Sequence, residues 1–150
     1  MLIRKGRDFG VRLGDLLLAL DRALLVARVT GRNLVVDWRD TPYGRGESNL
    51  AEQLFALQGI VQLPPSRLAN ALGAVEPVVW QGHLDQPLRQ VYGSFRSDDW
   101  NRTWASAHLD AGLAALDSDA PWVVLWDHSS SALKTESLRR LGIPSPSLQQ

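Results

Sequence analysis

The sequence predicts an α/β domain built as a Rossmann-like parallel sheet flanked by helices. Three observations carry this prediction. Leu34-Val35-Val36 and Trp122-Val123-Val124-Leu125 are apolar runs without alternation, as expected of parallel strands covered on both faces. A long helix-forming stretch lies between the first short strand and the second, and further strands and helices alternate along the chain. The length, 150 residues, suits one domain with a core of its own.

The elements follow in order. Leu2-Ile3-Arg4 reads as a short first strand, and Lys5 to Arg12 as a Gly-rich, charged turn. Leu13 to Val29 is a helix of strong formers, apolar around most of its circumference. Asp15 in its first turn and Arg28 in its last match the helix dipole, and Gly31 is placed to stop it. Asn33 to Trp38 is the buried strand. After a loop with Pro42, Gly44 and Gly46, the pattern predicts a helix over 49–57, a strand over 59–63 and a helix over 64–72. It then predicts a strand over 77–81, a short helix over 87–92 and a longer helix over 98–116, capped by Ser97. Trp122 to Asp127 is the last strand and Ser131 to Leu141 the last helix, ended by Gly142. Residues 1–142 are thus expected to form the domain. The Pro- and Ser-rich 143–150 is expected to be a linker or truncated tail.

Composition narrows the function classes. Lys+Arg and Asp+Glu are equal at 16 each, which argues against a nucleic-acid partner. There is no cysteine, so disulfides, thiolate nucleophiles and Cys-based zinc sites are excluded. The longest apolar run, Leu16 to Leu20, is far too short for a membrane span. The expectation is a cytoplasmic domain.

In a parallel α/β sheet, ligands bind outside the carboxyl ends of the strands. That rule points to three places: Lys5 to Asp15, Asp37 to Gly46, and Asp127 to Ser131. Gly14-Asp15 at a helix start either aims backbone N–H groups at a ligand or makes a plain tight turn with a dipole-matching acid. Lys5, Arg7 and Arg12 either neutralise a diphosphate or form a solvated turn. Asp37 and Arg39 lie two apart and share a strand face. They either clamp hydroxyls or a diphosphate, or one of them forms a salt bridge to another loop. Trp38 and Tyr43 either stack on a sugar ring or pack beneath a loop. His83-Leu84-Asp85 and His108-Leu109-Asp110 offer metal-type side chains without a third ligand cluster, so no metal site is expected. Asp127-His128-Ser129 holds triad residue types as sequence neighbours, an arrangement that does not converge into a triad.

A resemblance joins several of these residues. Arg12-Leu13-Gly14-Asp15, the helix after it, Thr30-Gly31-Arg32-Asn33-Leu34, Asp37-Trp38-Arg39, Tyr43 and Asn49 resemble the N-terminal part of the NodZ-type fucosyltransferases. That family has a Gly-Phe-Gly-Asp turn, a helix of matching length, Thr-Gly-Arg-Thr-Leu, Asp-Trp-Arg, a nearby Tyr and a later Asn. The spacing agrees without gaps from Gly14 through Tyr43, and Arg12 stands where the family has the first Gly of its turn.

The resemblance implies one half of a GT-B architecture, two Rossmann-like halves facing across a cleft. It implies fucosyl transfer from GDP-fucose, the nucleotide-sugar donor, to a carbohydrate acceptor without a required metal or other cofactor. By the same resemblance Arg12, Gly14, Asp15, Asp37, Trp38, Arg39 and Tyr43 would line the substrate side. The family's basic His-x-Arg-x-Gly-type donor motif lies in its second half. No His of this chain (His83, His108, His128) has an Arg two residues on. The expectation is therefore an acceptor-side half whose donor-binding partner is a missing C-terminal domain, or which self-associates. This chain alone is expected to be inactive. The other class is a non-catalytic Rossmann-like binding or interaction domain.

Overall fold

A computed structural model of the chain describes residues 1–6, 12–39, 41, 43, 48–54, 60–63, 65–92, 112–126 and 131–144. Four parallel strands form the sheet: β1 (Leu2–Lys5), β2 (Leu34–Asp37), β3 (Val75–Glu76) and β4 (Trp122–Leu125), in the order β2-β1-β4-β3. The helices are α1 (Leu13–Thr30), α2 (Leu50–Leu54), α3 (Pro65–Leu68), α4 (Leu88–Tyr92) and α5 (Ser131–Arg140), and residues 112–114 are also helical.

The missing alternation in the strands has its expected cause, because both sheet faces are covered. Leu2, Leu34, Val36, Val123 and Leu125 join a core with Leu16, Leu20, Ala23 and Val26 of α1 and Leu133 of α5. Ile3, Val35 and Val124 join a second core with Leu68, Trp80, Leu84, Leu88 and Trp126. The Trp80 and Trp126 rings lie 6.3 Å apart at 52°, a tilted aromatic pair.

Each end of α1 is defined by its sequence. Gly31 takes φ 64°, the left-handed conformation that glycine adopts without penalty, and its N–H bonds the Ala27 carbonyl. The Arg32 guanidinium then reaches the carbonyls of Ala120 and Ser118, each at 2.6 Å. The start of β2 is thereby fastened to the turn that feeds β4.

β2 is an edge strand, and unpaired edge groups need covering. Val61 N–H bonds the Leu34 carbonyl at 2.8 Å. Farther along, the Asn49 side chain stands in for a strand: its amide nitrogen donates to the Val36 carbonyl at 2.7 Å and its oxygen accepts from Trp38 N–H at 3.0 Å.

Several boundaries differ from those expected. The strand expected over 77–81 is a 3-10 turn at Val78–Trp80, and the strand is Val75–Glu76. Pro77 has no N–H to give a ladder, and Trp80 and Gln81 N–H groups fold back onto the carbonyls of Pro77 and Val78. The strand expected over 59–63 is reduced to a bridge between Leu34 and Ile60. The helices expected over 49–57 and 64–72 are described at Leu50–Leu54 and Pro65–Leu68. Most of the helix expected over 98–116 lies outside the described residues, as do Arg7, His108, Asp110, residues 127–130 and most of the 143–150 tail.

Candidate functional site

The site is built at the carboxyl ends of β1 and β2. Parallel register pairs Lys5 with Asp37, so both side chains leave the same face side by side. The Lys5 ammonium lies 2.7 Å from Asp37 Oδ2, with the two side chains only 1% and 4% exposed. Arg39, two residues on, grips the same carboxylate with both prongs: Nε to Oδ1 at 2.8 Å and Nη2 to Oδ2 at 2.8 Å. The salt bridge that forms is not to another loop, as expected, but between Asp37 and Arg39 themselves and to Lys5 of β1.

The two cations reach farther. Lys5 Nζ donates to the carbonyls of Leu84 at 2.6 Å and Gln86 at 2.8 Å. Arg39 Nη2 donates to the carbonyl between them, that of Asp85, at 2.6 Å. Three consecutive carbonyls of one turn are thus received by two cations that share one carboxylate. The ammonium has three donors, and all three are engaged. Lys5 also lies 5.2 Å from the centre of the Trp80 ring, within cation–π range.

Electrostatics follow from burial. Loss of water pulls the Lys5 ammonium below its ordinary pKa, against the opposing pull of Asp37. Burial pushes the Asp37 carboxyl upward, but the Arg39 hydrogen bond and the Lys5 and Arg39 charges outweigh it and hold it below the usual carboxylate range. Asp37 is therefore an anion serving two cations.

A second group gathers at the start of α1. Arg12 is the N-cap residue, and its N–H donates to Asp15 Oδ2 at 2.9 Å. The guanidinium has no acceptor, so the reciprocal bond of a capping box cannot form. Leu13 N–H donates to the Tyr43 hydroxyl at 3.2 Å. Gly14 is exposed, and a Cβ there would meet nothing within 4 Å. Arg12 is exposed and Tyr43 is 48% exposed.

Trp38 stands apart from both groups. It is fully buried in the α1-side core, so its indole offers no face to a sugar ring. Gly6 is the reason it fits: a Cβ there would lie 3.0 Å from Trp38 Cδ1 and 2.7 Å from Thr41 Cγ2.

Lys5 was expected in a charged turn and is instead the last residue of β1, fully buried. The period-2 register with Ile3 is the signal that would have turned it inward. The Leu84–Gln86 turn carried no local signal for its part. Among the described residues no three His, Cys, Asp or Glu side chains are grouped to hold a metal ion, and no helix is long and apolar enough to cross a membrane.

No protein-family profile matches the sequence, and no curated protein matches it. Solved structures do. A fucosyltransferase NodZ from Bradyrhizobium superposes with a TM-score of 0.58 at 22% identity, over 92% of this chain and 48% of that one. A NodZ alpha-1,6-fucosyltransferase co-crystallized with GDP gives 0.58 at 22% identity, over 93% and 49%. The same enzyme soaked with GDP-fucose gives 0.57 at 21%, over 93% and 49%. The chain spans about half the length of these structures, and in its fold it resembles the N-terminal half of NodZ-type fucosyltransferases.

Proposed function

We propose that the chain is the acceptor-side half of a glycosyltransferase of GT-B architecture, carrying fucose from GDP-fucose to a carbohydrate acceptor. One observation carries this reading: nearly the whole chain superposes on about half of a fucosyltransferase, 92% against 48%. A second half, or a second copy of this chain, supplies the remaining wall of the cleft, and the setting is cytoplasmic. Without it the chain does not complete the reaction.

The division of labour follows from charge. Transfer from a nucleotide sugar passes through a cation-like sugar as the diphosphate leaves, and basic groups must neutralise that diphosphate. Lys5 has no donor left for it. With Lys5 engaged, we assign the diphosphate-binding cations to the other half. On this half, Arg12, Gly14 and Tyr43 at the start of α1 stand on the substrate side, with Asp15 capping the helix. Asp37, Trp38 and Arg39 support the rim from within.

The test is transfer of labelled fucose from GDP-fucose to an oligosaccharide panel, by the chain and by the longest polypeptide in which cells make it. Fucose on an oligosaccharide with the longer polypeptide, and none with the chain alone, is the expected result. No transfer by either contradicts the proposal and favours a non-catalytic binding domain, a reading that the internal pairing of Asp37 and Arg39 also suits.

A further inference from the structure

The turn held by Lys5 and Arg39 has a second side. Its three carbonyls point to the cations beneath it. Leu84 is 3% exposed and Leu88 fully buried, so the segment is anchored at both ends. His83 N–H bonds the Trp80 carbonyl at 2.9 Å and Gln86 N–H the His83 carbonyl at 3.0 Å. The main chain is therefore fixed and turned inward. Three polar side chains remain: His83, exposed, and Asp85 and Gln86, half-buried. Among the described residues none of the three side chains has a hydrogen-bond or ion-pair partner. They stand on a rigid element at the carboxyl ends of β1 and β2, where open α/β sheets bind ligands.

Local charge selects the ligand class. Among the described residues Lys5 and Arg39 pair with Asp37, and Lys5 also feels the charge of Asp85, two cations beside two carboxylates. The balance offers no net attraction to a phosphate, and Asp85 would repel one. A neutral polyol meets no such penalty. A carboxylate accepts from two adjacent hydroxyls, a carboxamide both donates and accepts, and an imidazole supplies one of each.

We propose that His83, Asp85 and Gln86 form the edge that recognises the hydroxyl groups of a neutral sugar, the carbohydrate acceptor, with Lys5, Asp37 and Arg39 as positioning residues beneath it. This rests on the glycosyltransferase reading and deepens it. The three side chains choose the acceptor, and the buried ion pair keeps their turn in place for it.

The test is an amide NMR titration of the chain with neutral methyl pyranosides, run beside Asp85→Asn and His83→Ala. Among the described residues neither side chain has a hydrogen bond to lose, and Asp85→Asn removes only a charge near Lys5, so both variants keep the wild-type fold. The expected result is weak binding, on the order of millimolar, with shifts centred on residues 83–86. Asp85→Asn then weakens it about tenfold, equivalent to roughly 1.4 kcal/mol. Shifts centred elsewhere, unchanged affinity in Asp85→Asn, or no shift with any pyranoside each overturn the proposal. Fucosyl transfer is scored separately. A longer polypeptide that transfers fucose equally well with Asp85→Asn leaves the glycosyltransferase reading standing and removes this one.

Discussion

Lys5 and Asp37 end adjacent parallel strands as register partners, and their charged groups meet at 2.7 Å with almost no exposure to water. Arg39 completes the group by gripping the same carboxylate with two nitrogens. A buried charge is tolerated only while it is paired, so the three residues are unequal in what their removal exposes.

Asp37→Ala strips the partner from the buried Lys5 and the half-buried Arg39. The expected loss is about 3–5 kcal/mol. Lys5→Met leaves Asp37 paired with Arg39 and orphans the carbonyls of Leu84 and Gln86, with an expected loss of roughly 1–3 kcal/mol. Urea denaturation orders the two variants. A larger loss for Lys5→Met would contradict the assignment of Asp37 as the hub.

The pH dependence follows from the direction of the Asp37 shift. Its folded pKa lies below the ordinary value of 3.8. Its stabilisation is therefore fully present above that value and is lost as pH falls through the lower, folded one. Acid titration of stability should be steeper in the wild type than in Asp37→Asn in this range. Identical acid limbs would show that the carboxylate is not held as an anion.

Gly6→Ala forces a methyl to within 2.7 Å of Thr41 Cγ2 and 3.0 Å of Trp38 Cδ1. Overpacking of this kind costs about 1–3 kcal/mol. Thr41→Ser removes the nearer atom and should restore part of the loss. The Trp38 Cα at 3.2 Å keeps the rescue incomplete. A double-mutant cycle in which the two changes simply add would contradict the contact.

Asn49→Ala uncovers the outer edge of β2, leaving Val36 O and Trp38 N–H without their side-chain partner. The expected loss is roughly 1–3 kcal/mol, with faster hydrogen exchange at the Trp38 amide. Unchanged exchange there would show that Asn49 does not close the edge.

Local pattern carried much of the fold. Leu34-Val35-Val36 lacks alternation because both faces of β2 are covered, and that is visible in three letters. Gly31 marks the end of α1 because its left-handed φ is a backbone requirement. Val78 and Val79 misled for the opposite reason. They look like a buried strand, yet they are 78% and 40% exposed on a turn. That Asp37 and Arg39 share a face was legible from their spacing; that they pair with each other was not. The rest of the group was not, because Lys5 enters only through strand register and Leu84 through a contact 79 residues away.

Lys5 and Arg39 are engaged within the domain, and on the proposed reading the donor's diphosphate is held elsewhere. Titration calorimetry of GDP-fucose into the chain tests this most directly. The expected result is no binding tighter than about millimolar. Micromolar affinity, abolished by Lys5→Met in a variant that still folds, would contradict it.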